Sequence, residues 1–250
     1  MSSDLEGEPW DRRKLVKAAL AVGAAGAATA AGVTLGVPLL RGPPSPRYDN
    51  LVYTRFPVPQ WWDSLVGQPV KVTDFQEWMG ATAVWRGAFR DGELLPGSGF
   101  PVLVIRVKRD DAVFRAPTDV VIPGGFSLYY DDPARDIRIV VFYDRCAHLC
   151  CFPGWQVVQD PPPFHGGYLG PTPTWEVYGV DPIYCVCHGS QYEPMILTKN
   201  VNPTNDVEYV GASLVYGPAT RSIPVVLVKA VDDVLIGGAT DLRWYAYCGD

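Results

Sequence analysis

Histidine is scarce in this chain, whose 250 residues include three histidines, His148, His165 and His188. The sequence also lacks a P-loop, a glycine-rich dinucleotide fingerprint and a Gly-x-Ser-x-Gly nucleophile elbow. Those absences remove the usual sequence evidence for nucleotide binding and for serine hydrolase chemistry. Internal repeats are absent too, which excludes a solenoid or propeller built from repeated units.

Basic residues are outnumbered, since 21 Lys and Arg stand against 27 Asp and Glu, for a net charge of −6. The imbalance is uneven: residues 1–47 carry six basic and four acidic residues, and residues 48–250 carry the remaining 15 and 23. An acidic region of that size argues against nucleic acid as a partner, because nucleic-acid binding favours basic faces. A solvated acidic surface is the ordinary explanation.

Short runs typical of β-strands, punctuated by turn residues, dominate the region after residue 50. Glycine and proline number 25 and 24. The runs rich in Val, Ile and Tyr are 102–107, 137–143, 223–228 and 234–236. Runs of this length between turn residues predict strands, and Asp232 with Asp233 predicts a hairpin turn between the last two. The sequence therefore predicts an antiparallel all-β domain.

Two short stretches combine cysteine with histidine: residues 146–151 read CAHLCC and residues 185–192 read CVCHGSQY. A 2Fe-2S cluster needs four protein ligands, and in the Rieske type two histidines replace two cysteines on one iron. We expect each stretch to supply one sulfur and one imidazole, so neither would bind the cluster alone. The predicted ligands are Cys146, His148, Cys185 and His188.

These stretches resemble the two cluster-binding boxes of the Rieske proteins of cytochrome bc-type quinol-oxidising complexes. The resemblance implies an antiparallel β base domain, here 51–250, with an inserted cluster-binding subdomain at about 144–220. It also implies a disulfide between Cys151 and Cys187. The Gly-Pro-Ala sequence at 217–219 resembles the family's proline loop, which packs beside the cluster.

Other residues of the two boxes have roles that the resemblance implies. The hydroxyls of Ser190 and Tyr192 are expected to donate hydrogen bonds to cluster or ligand sulfur, which raises the reduction potential. Leu149 is expected to screen the cluster from water, although simple packing would explain it equally well. The sequence departs from the family where Cys150 replaces the usual glycine, and in the longer interval between the boxes.

A structural zinc site is an alternative interpretation of the same residues, because cysteine and histidine at such spacings also form closed tetrahedral zinc shells. Zinc explains neither the additional cysteines of the boxes nor the tail that contains Ser190 and Tyr192. His165 has no ligand spacing around it and is interpreted as an ordinary loop histidine.

The number of cysteines indicates an oxidising compartment. Of six cysteines, two are predicted ligands and two form the disulfide that the resemblance implies, which leaves Cys150 and Cys248. An even remainder predicts a second bridge between them, although the sequence leaves open an exchange of roles between Cys150 and Cys151. Disulfides that persist are typical of extracytoplasmic proteins.

The N-terminal region predicts export and attachment to a membrane. Residues 1–17 include a twin arginine at 12–13, typical of Tat signals, and residues 18–40 are uncharged. A helix over 18–40 would be about 34 Å long, which exceeds a hydrocarbon core of about 30 Å. The basic residues before it place residues 1–17 in the cytoplasm, and the proline-rich residues 41–50 would tether an extracytoplasmic domain. Cleavage near 28–30 is the alternative to a retained anchor.

The resemblance implies electron transfer within a larger oxidoreductase complex. We expect a single-pass subunit of the cell membrane that takes an electron and a coupled proton from quinol, with His188 as the contact residue and His148 as the alternative. The implied partners are a cytochrome b-type membrane subunit and, as acceptor, a c-type cytochrome or a copper protein. The rival function is the Rieske small subunit of an exported metalloenzyme such as arsenite oxidase. A Rieske ferredoxin or oxygenase is a third class, but oxygenases need a further iron site with two histidines, and only His165 remains.

Overall fold

The computed structural model describes the chain from Arg47 onward, with short gaps. The described residues are 47–87, 89–90, 93–94, 99–158, 173–180, 182–239 and 241–248. The predicted cytoplasmic segment and membrane helix, like His165, lie outside them. Within them, no helix is long and apolar enough to cross a membrane. The first strand begins at Arg47, inside the predicted tether at 41–50, so the sheet starts earlier than expected.

Strands predominate in the described part of the chain, as the predicted all-β class requires. The strands are β1 (Arg47–Tyr53), β2 (Gly80–Trp85), β3 (Phe89–Arg90), β4 (Glu93–Leu94), β5 (Phe100–Val107), β6 (Tyr130–Asp132), β7 (Ile137–Tyr143), β8 (Gly154–Trp155), β9 (Ile183–Tyr184), β10 (Gln191–Asn202), β11 (Val207–Tyr216), β12 (Ile223–Pro224), β13 (Leu227–Val231) and β14 (Val234–Ala239). The helical elements are α1 (Thr174–Tyr178) and short 3-10 helices at Asp63–Leu65, Val72–Asp74 and Leu242–Tyr245.

Seven of the described strands form one antiparallel sheet, in the order β13-β14-β1-β2-β5-β7-β6. Every residue of β7 is buried, and its Val and Ile residues favour a strand that is covered on both faces. The sheet nearly closes on itself, because Ser127, just before β6, exchanges two backbone hydrogen bonds of 3.0 and 2.9 Å with Val228 in the edge strand β13. We call this sheet the base domain.

Five further strands lie between β7 and β13 in the chain and form a separate antiparallel sheet, in the order β12-β11-β10-β9-β8. Its largest part is the long hairpin of β10 and β11, which pairs Gln191 with Tyr216 at one end and Asn202 with Val207 at the other. The first box precedes β8, and the second joins β9 to β10. An insertion between the strand at 137–143 and the strand from 223 was expected. The second sheet occupies that interval and extends to Pro224, so the single strand predicted at 223–228 is divided between β12 of this sheet and β13 of the base domain.

A tight turn joins β13 to β14. Its two residues, Asp232 and Asp233, both have positive φ values, 49° and 68°, as a type I′ turn requires. Aspartate adopts this left-handed conformation more readily than most residues with a side chain. The hairpin predicted at these residues is confirmed.

Aromatic rings fill the core between the base domain and the C-terminal residues. Tyr245 is surrounded by three rings at centroid distances of 5.4 to 5.5 Å, those of Trp85, Phe100 and Tyr143. Tilted and edge-to-face pairs at this spacing stabilise a core beyond simple apolar burial. Because β7 ends at Tyr143, this cluster fixes the chain just before the first box.

Candidate metal centre

Residues 146–151, which we call loop 1, form a turn in which both the N–H and the carbonyl of Cys146 make backbone hydrogen bonds. The Cys146 N–H donates to the Cys151 carbonyl at 2.7 Å, and the Cys146 carbonyl accepts from the Cys150 N–H at 2.9 Å. Cys150 has a φ of 61°, in the left-handed region that residues with a Cβ atom enter only at a cost. Loop 1 therefore holds Cys146 in place although one of its other residues is strained.

Residues 185–190, which we call loop 2, repeat this closure around Cys185. The Cys185 N–H donates to the Ser190 carbonyl, and the Cys185 carbonyl accepts from the Gly189 N–H, both at 2.8 Å. Gly189 takes the left-handed position, with a φ of 77°, and lacks the Cβ atom that causes the strain. The same backbone geometry thus presents the first cysteine of each box, a predicted ligand.

Two disulfides connect these loops to each other and to the C-terminal residues. Cys151 pairs with Cys187, with Cα atoms 6.5 Å apart, and Cys150 pairs with Cys248 at 5.5 Å. Both separations lie in the usual range for disulfides. These are the two pairings named from the sequence, and among the described residues the two predicted ligand cysteines remain free thiols.

The free thiols of Cys146 and Cys185 are buried, each residue being 1% exposed. The Cys146 Sγ lies 3.2 Å from the Tyr192 hydroxyl, whose oxygen accepts the Ala147 N–H at 3.2 Å. That hydroxyl can therefore direct its proton to the sulfur. A hydrogen bond from the Cys185 thiol lowers the pKa of Cys146, burial opposes this, and a hydrogen bond from Tyr192 lowers it further. Pairing with Cys146 and burial raise the pKa of Cys185. A sulfur with a low pKa binds metal readily, because the thiolate is the ligand form.

The imidazole rings of His148 and His188 are neighbours. Their centroids are 4.7 Å apart and the rings are nearly perpendicular, at 88°. The His148 Nδ1 atom is buried and has no hydrogen-bond partner among the described residues, whereas His188 is exposed. A buried nitrogen without a partner costs free energy unless a ligand satisfies it. The Nδ1 atom of His148 is therefore placed to bind a metal.

Ser190, the last residue of loop 2, has a completely buried side chain. Its oxygen accepts a hydrogen bond from the Ala219 N–H at 3.1 Å, and its hydroxyl is among the groups that lower the pKa of Cys146. Gly217 allows this contact, because its φ is +96° and a Cβ atom there would lie 2.5 Å from the Ser190 Cα. The proline loop expected at 217–219 therefore packs directly on loop 2.

The donor set fits a 2Fe-2S cluster of the Rieske type. Such a cluster requires two cysteine and two histidine ligands, and two buried thiols and two neighbouring imidazoles lie here on two loops that a disulfide joins. A second grouping is also present, since the sulfurs of Cys151, Cys185 and Cys187 lie within 4.8 Å of one another. Because Cys151 and Cys187 form a disulfide, Cys185 is the one free cysteine of this grouping while the bridge is intact.

Three large apolar side chains on or next to the two loops are exposed to solvent. Leu149 of loop 1 is 64% exposed, Phe152 directly after it is 52% exposed, and Val186 of loop 2 is 60% exposed. This exposure argues against simple packing as the explanation of Leu149. An exposed apolar patch is typical of an interaction surface when its side chains are contiguous, and these three lie on or beside two loops that a disulfide joins.

One contact to loop 1 was not evident from the sequence. The Tyr247 hydroxyl donates to the Arg145 carbonyl at 2.8 Å, directly before the predicted ligand Cys146. The only signal available was the position of Tyr247 beside Cys248, whose pairing with loop 1 was expected. A bridge at one residue brings its neighbours into contact as well.

Comparison of the chain with models of protein families and with curated protein sequences gives no match. The interpretation of the two loops therefore depends on their own residues and geometry.

Proposed function

We propose that the protein is a Rieske-type 2Fe-2S electron-transfer subunit of a quinol-oxidising complex. The observation that carries the proposal is the pair of identically closed loops, which offer two buried free thiols and two neighbouring imidazoles across one disulfide. Cys146 and Cys185 would ligate one iron, and the two histidines would ligate the other. The bound cluster would supply reversible one-electron transfer.

His188 is the residue that would meet the quinol, because it is exposed whereas His148 is partly buried. One ring nitrogen of His188 would bind the metal, and the other would be free to accept a hydrogen bond and then a proton from a quinol hydroxyl. Leu149, Phe152 and Val186 are exposed apolar side chains that would keep water away from this contact. Electron and proton would then leave the quinol at one place.

Tyr192 and Ser190 would raise the reduction potential of the site. The Tyr192 hydroxyl lies 3.2 Å from the Cys146 sulfur, and hydrogen bonds to sulfur stabilise the more negative, reduced state. Rieske centres span roughly −150 to +300 mV. We expect this one toward the upper end.

The location and partners belong to the same proposal. Two disulfides are typical of an oxidising, extracytoplasmic compartment. The uncharged segment 18–40, behind a twin arginine, would anchor the chain with its N-terminus in the cytoplasm. A cytochrome b-type subunit would supply the quinol site, and a c-type cytochrome or copper protein would accept the electron.

The test is purification of the full chain from detergent-solubilised membranes, followed by iron and sulfide analysis and EPR of the reduced protein. We expect equal amounts of iron and acid-labile sulfide and the low average g-value of nitrogen-ligated iron. Co-purification of a b-type cytochrome would support the quinol-oxidising complex. A molybdenum-containing partner would support the rival function, the Rieske subunit of an exported metalloenzyme such as arsenite oxidase. A protein that held zinc and no iron would contradict both.

A structural zinc site is the second candidate, favoured by the grouping of the Cys151, Cys185 and Cys187 sulfurs within 4.8 Å. Structural zinc takes four ligands, and three thiolates with one histidine are a common set. The two candidates require different redox states of the same cysteines. Peptide mapping under non-reducing conditions distinguishes them, because an intact Cys151–Cys187 bridge removes two of the three zinc ligands.

A further inference from the structure

The C-terminal residues 241–248, which we call the strap, are attached to the rest of the protein at three places. The strap begins at Asp241, whose side chain accepts the Arg243 N–H and caps the 3-10 helix Leu242–Tyr245. It then contacts the long hairpin, the base domain and loop 1. Each attachment uses a different kind of interaction.

The first attachment joins the strap to the turn of the long hairpin. Asn202 is fully buried, and its amide donates to the Arg243 and Ala246 carbonyls at 2.9 and 3.4 Å. Asn205 donates to the same Arg243 carbonyl at 2.9 Å. Buried amides that find such partners fix the backbone they contact.

The second attachment is Tyr245, in the core of the base domain. Its hydroxyl donates to the Val225 carbonyl at 2.9 Å, and its ring packs among the three aromatic rings described above. The phenol is therefore both buried and hydrogen-bonded, as a large amphipathic side chain in a core should be.

The third attachment is at loop 1. The Tyr247 hydroxyl donates to the Arg145 carbonyl at 2.8 Å, and Cys248 is bonded to Cys150. Arg145 directly precedes Cys146, and the Cys150 N–H closes the turn on the Cys146 carbonyl at 2.9 Å. The strap therefore reaches the chain on both sides of this ligand.

Cys150 occupies the position that Gly189 occupies in loop 2. Both residues are left-handed, with φ values of 61° and 77°, and glycine is the residue that such a position favours. Local backbone chemistry would therefore place glycine at 150. The bond between Cys150 and Cys248 of the strap gives a reason for cysteine at this position.

We propose that the strap is a positioning element for the loop 1 ligands Cys146 and His148, acting through Arg145 and Cys150. This inference rests on the proposed function, because the positioned groups are the proposed iron ligands. The Cys151–Cys187 bridge joins the two loops to each other. The strap instead joins loop 1 to the base domain and the long hairpin.

The first test compares the full-length variants C150G/C248S and C150A/C248S. Both lose the bridge without leaving an unpaired thiol, and only the alanine variant keeps the left-handed strain. The rate of cluster loss is followed by visible circular dichroism, and the fold by far-ultraviolet circular dichroism. We expect cluster loss about tenfold faster than in the wild type for C150G/C248S, equivalent to about 1.4 kcal/mol, and faster again for C150A/C248S, before the far-ultraviolet signal changes.

A spectroscopic readout separates positioning from general stability. If loop 1 holds His148 less firmly, the EPR features and nitrogen couplings of the reduced protein should broaden in both double variants. If loss of the bridge prevents folding, Y247F still tests the strap, because this variant keeps the bridge and loses only the hydrogen bond from the Tyr247 hydroxyl to the Arg145 carbonyl. We expect it to broaden the same features less. Y53F is the matched control, since the Tyr53 hydroxyl donates to Asp74 at 2.9 Å, away from the strap.

Two outcomes are decisive. Wild-type rates and EPR line widths in C150G/C248S and in Y247F would overturn the positioning role, while a Rieske spectrum in the wild type would leave the proposed function intact. Absence of such a spectrum from the wild type would overturn the proposed function and this inference with it.

Discussion

Loops 1 and 2 share one backbone closure but differ in the residue at its left-handed position. Loop 2 has Gly189 there and loop 1 has Cys150, with φ values of 77° and 61°. Glycine adopts this conformation without side-chain strain, whereas cysteine adopts it at a cost, and here the cysteine side chain is bonded to Cys248. The comparison shows that the residue type found at a left-handed position depends on the bonds its side chain makes as well as on the backbone angle φ.

The two loops also differ in their support. Loop 2 packs against Gly217 and accepts, through Ser190, a hydrogen bond from Ala219, whereas loop 1 is bonded to the strap. A buried carboxyl group accompanies each loop, since Asp144 precedes loop 1 and Glu193 follows loop 2. Substitutions in and next to each loop should therefore distinguish the role common to both loops, ligand binding, from the support that each loop receives separately.

Removal of a ligand thiol should have the largest effect, a loss of bound iron, and the loss should be equal for the two loops. C146S and C185S should each lose nearly all bound iron, because neither loop binds a cluster alone. The measurement is iron content per folded chain, with V186A, an exposed change in loop 2, as the control. Full iron content in one serine variant and none in the other would break the equivalence of the loops.

Substitution behind loop 2 should have the next largest effect. An added Cβ atom at Gly217 would lie 2.5 Å from the Ser190 Cα at a φ of +96°, so G217A should lower the free energy of unfolding by about 3 kcal/mol. Gly67 is the matched control, because its φ is +85° and nothing lies within 4 Å. G67A should cost about 1 kcal/mol. Urea unfolding measures both, and equal costs would mean that the contact with Ser190 is unimportant.

Loss of the hydroxyl at Tyr192 should shift the reduction potential without removing the cluster. A hydrogen bond worth about 1 kcal/mol to the reduced state corresponds to about 45 mV, so Y192F should lower the midpoint by roughly this amount. Y209F is the control, because the buried Tyr209 hydroxyl donates to the Ser222 carbonyl at 2.6 Å. An unchanged midpoint in Y192F would show that the 3.2 Å contact with Cys146 does not tune the site.

The buried carboxyl of Glu193 should have the smallest effect, visible in the pH dependence of stability. Burial raises the pKa of Glu193 above its ordinary value of 4.5. The folded protein then keeps a proton that the unfolded chain releases, so the free energy of unfolding should fall as pH rises from 4.5 to the raised value. E193Q should lack this part of the slope, and D206N, at an exposed turn, should retain it. Urea unfolding at several pH values measures the slope, and equal slopes in the wild type and E193Q would contradict the expectation.

Local patterns predicted the features that depend on neighbouring residues. The strand at 137–143 and the turn at Asp232 and Asp233 follow from runs of β-branched residues and from turn chemistry. The bridge between Cys151 and Cys187 was instead expected from the family resemblance of the two boxes, and the bridge between Cys150 and Cys248 from the even number of cysteines left over. Only the strand and the turn follow from residues a few positions apart.

The bridge from the strap to loop 1 was predicted from the number of cysteines, but the other contacts of the strap and the left-handed conformation of Cys150 were not. The Tyr247 and Arg145 partners are 102 positions apart, and no short-range signal encodes a contact of that range. The conformation of Cys150 is even harder to predict from sequence, because a residue with a Cβ atom rarely adopts a positive φ. Only the packing of the whole domain determines that position.

The two disulfides form nested covalent rings, with cysteines 98 and 36 positions apart. A protease that cuts one peptide bond between Cys151 and Cys187 leaves loop 1 and Cys187 on different fragments, yet the nicked molecule still runs as a single species on a non-reducing gel. Its fragments separate only after both bridges are reduced. Damage of this kind at the surface therefore does not by itself part the two halves of the metal-binding apparatus.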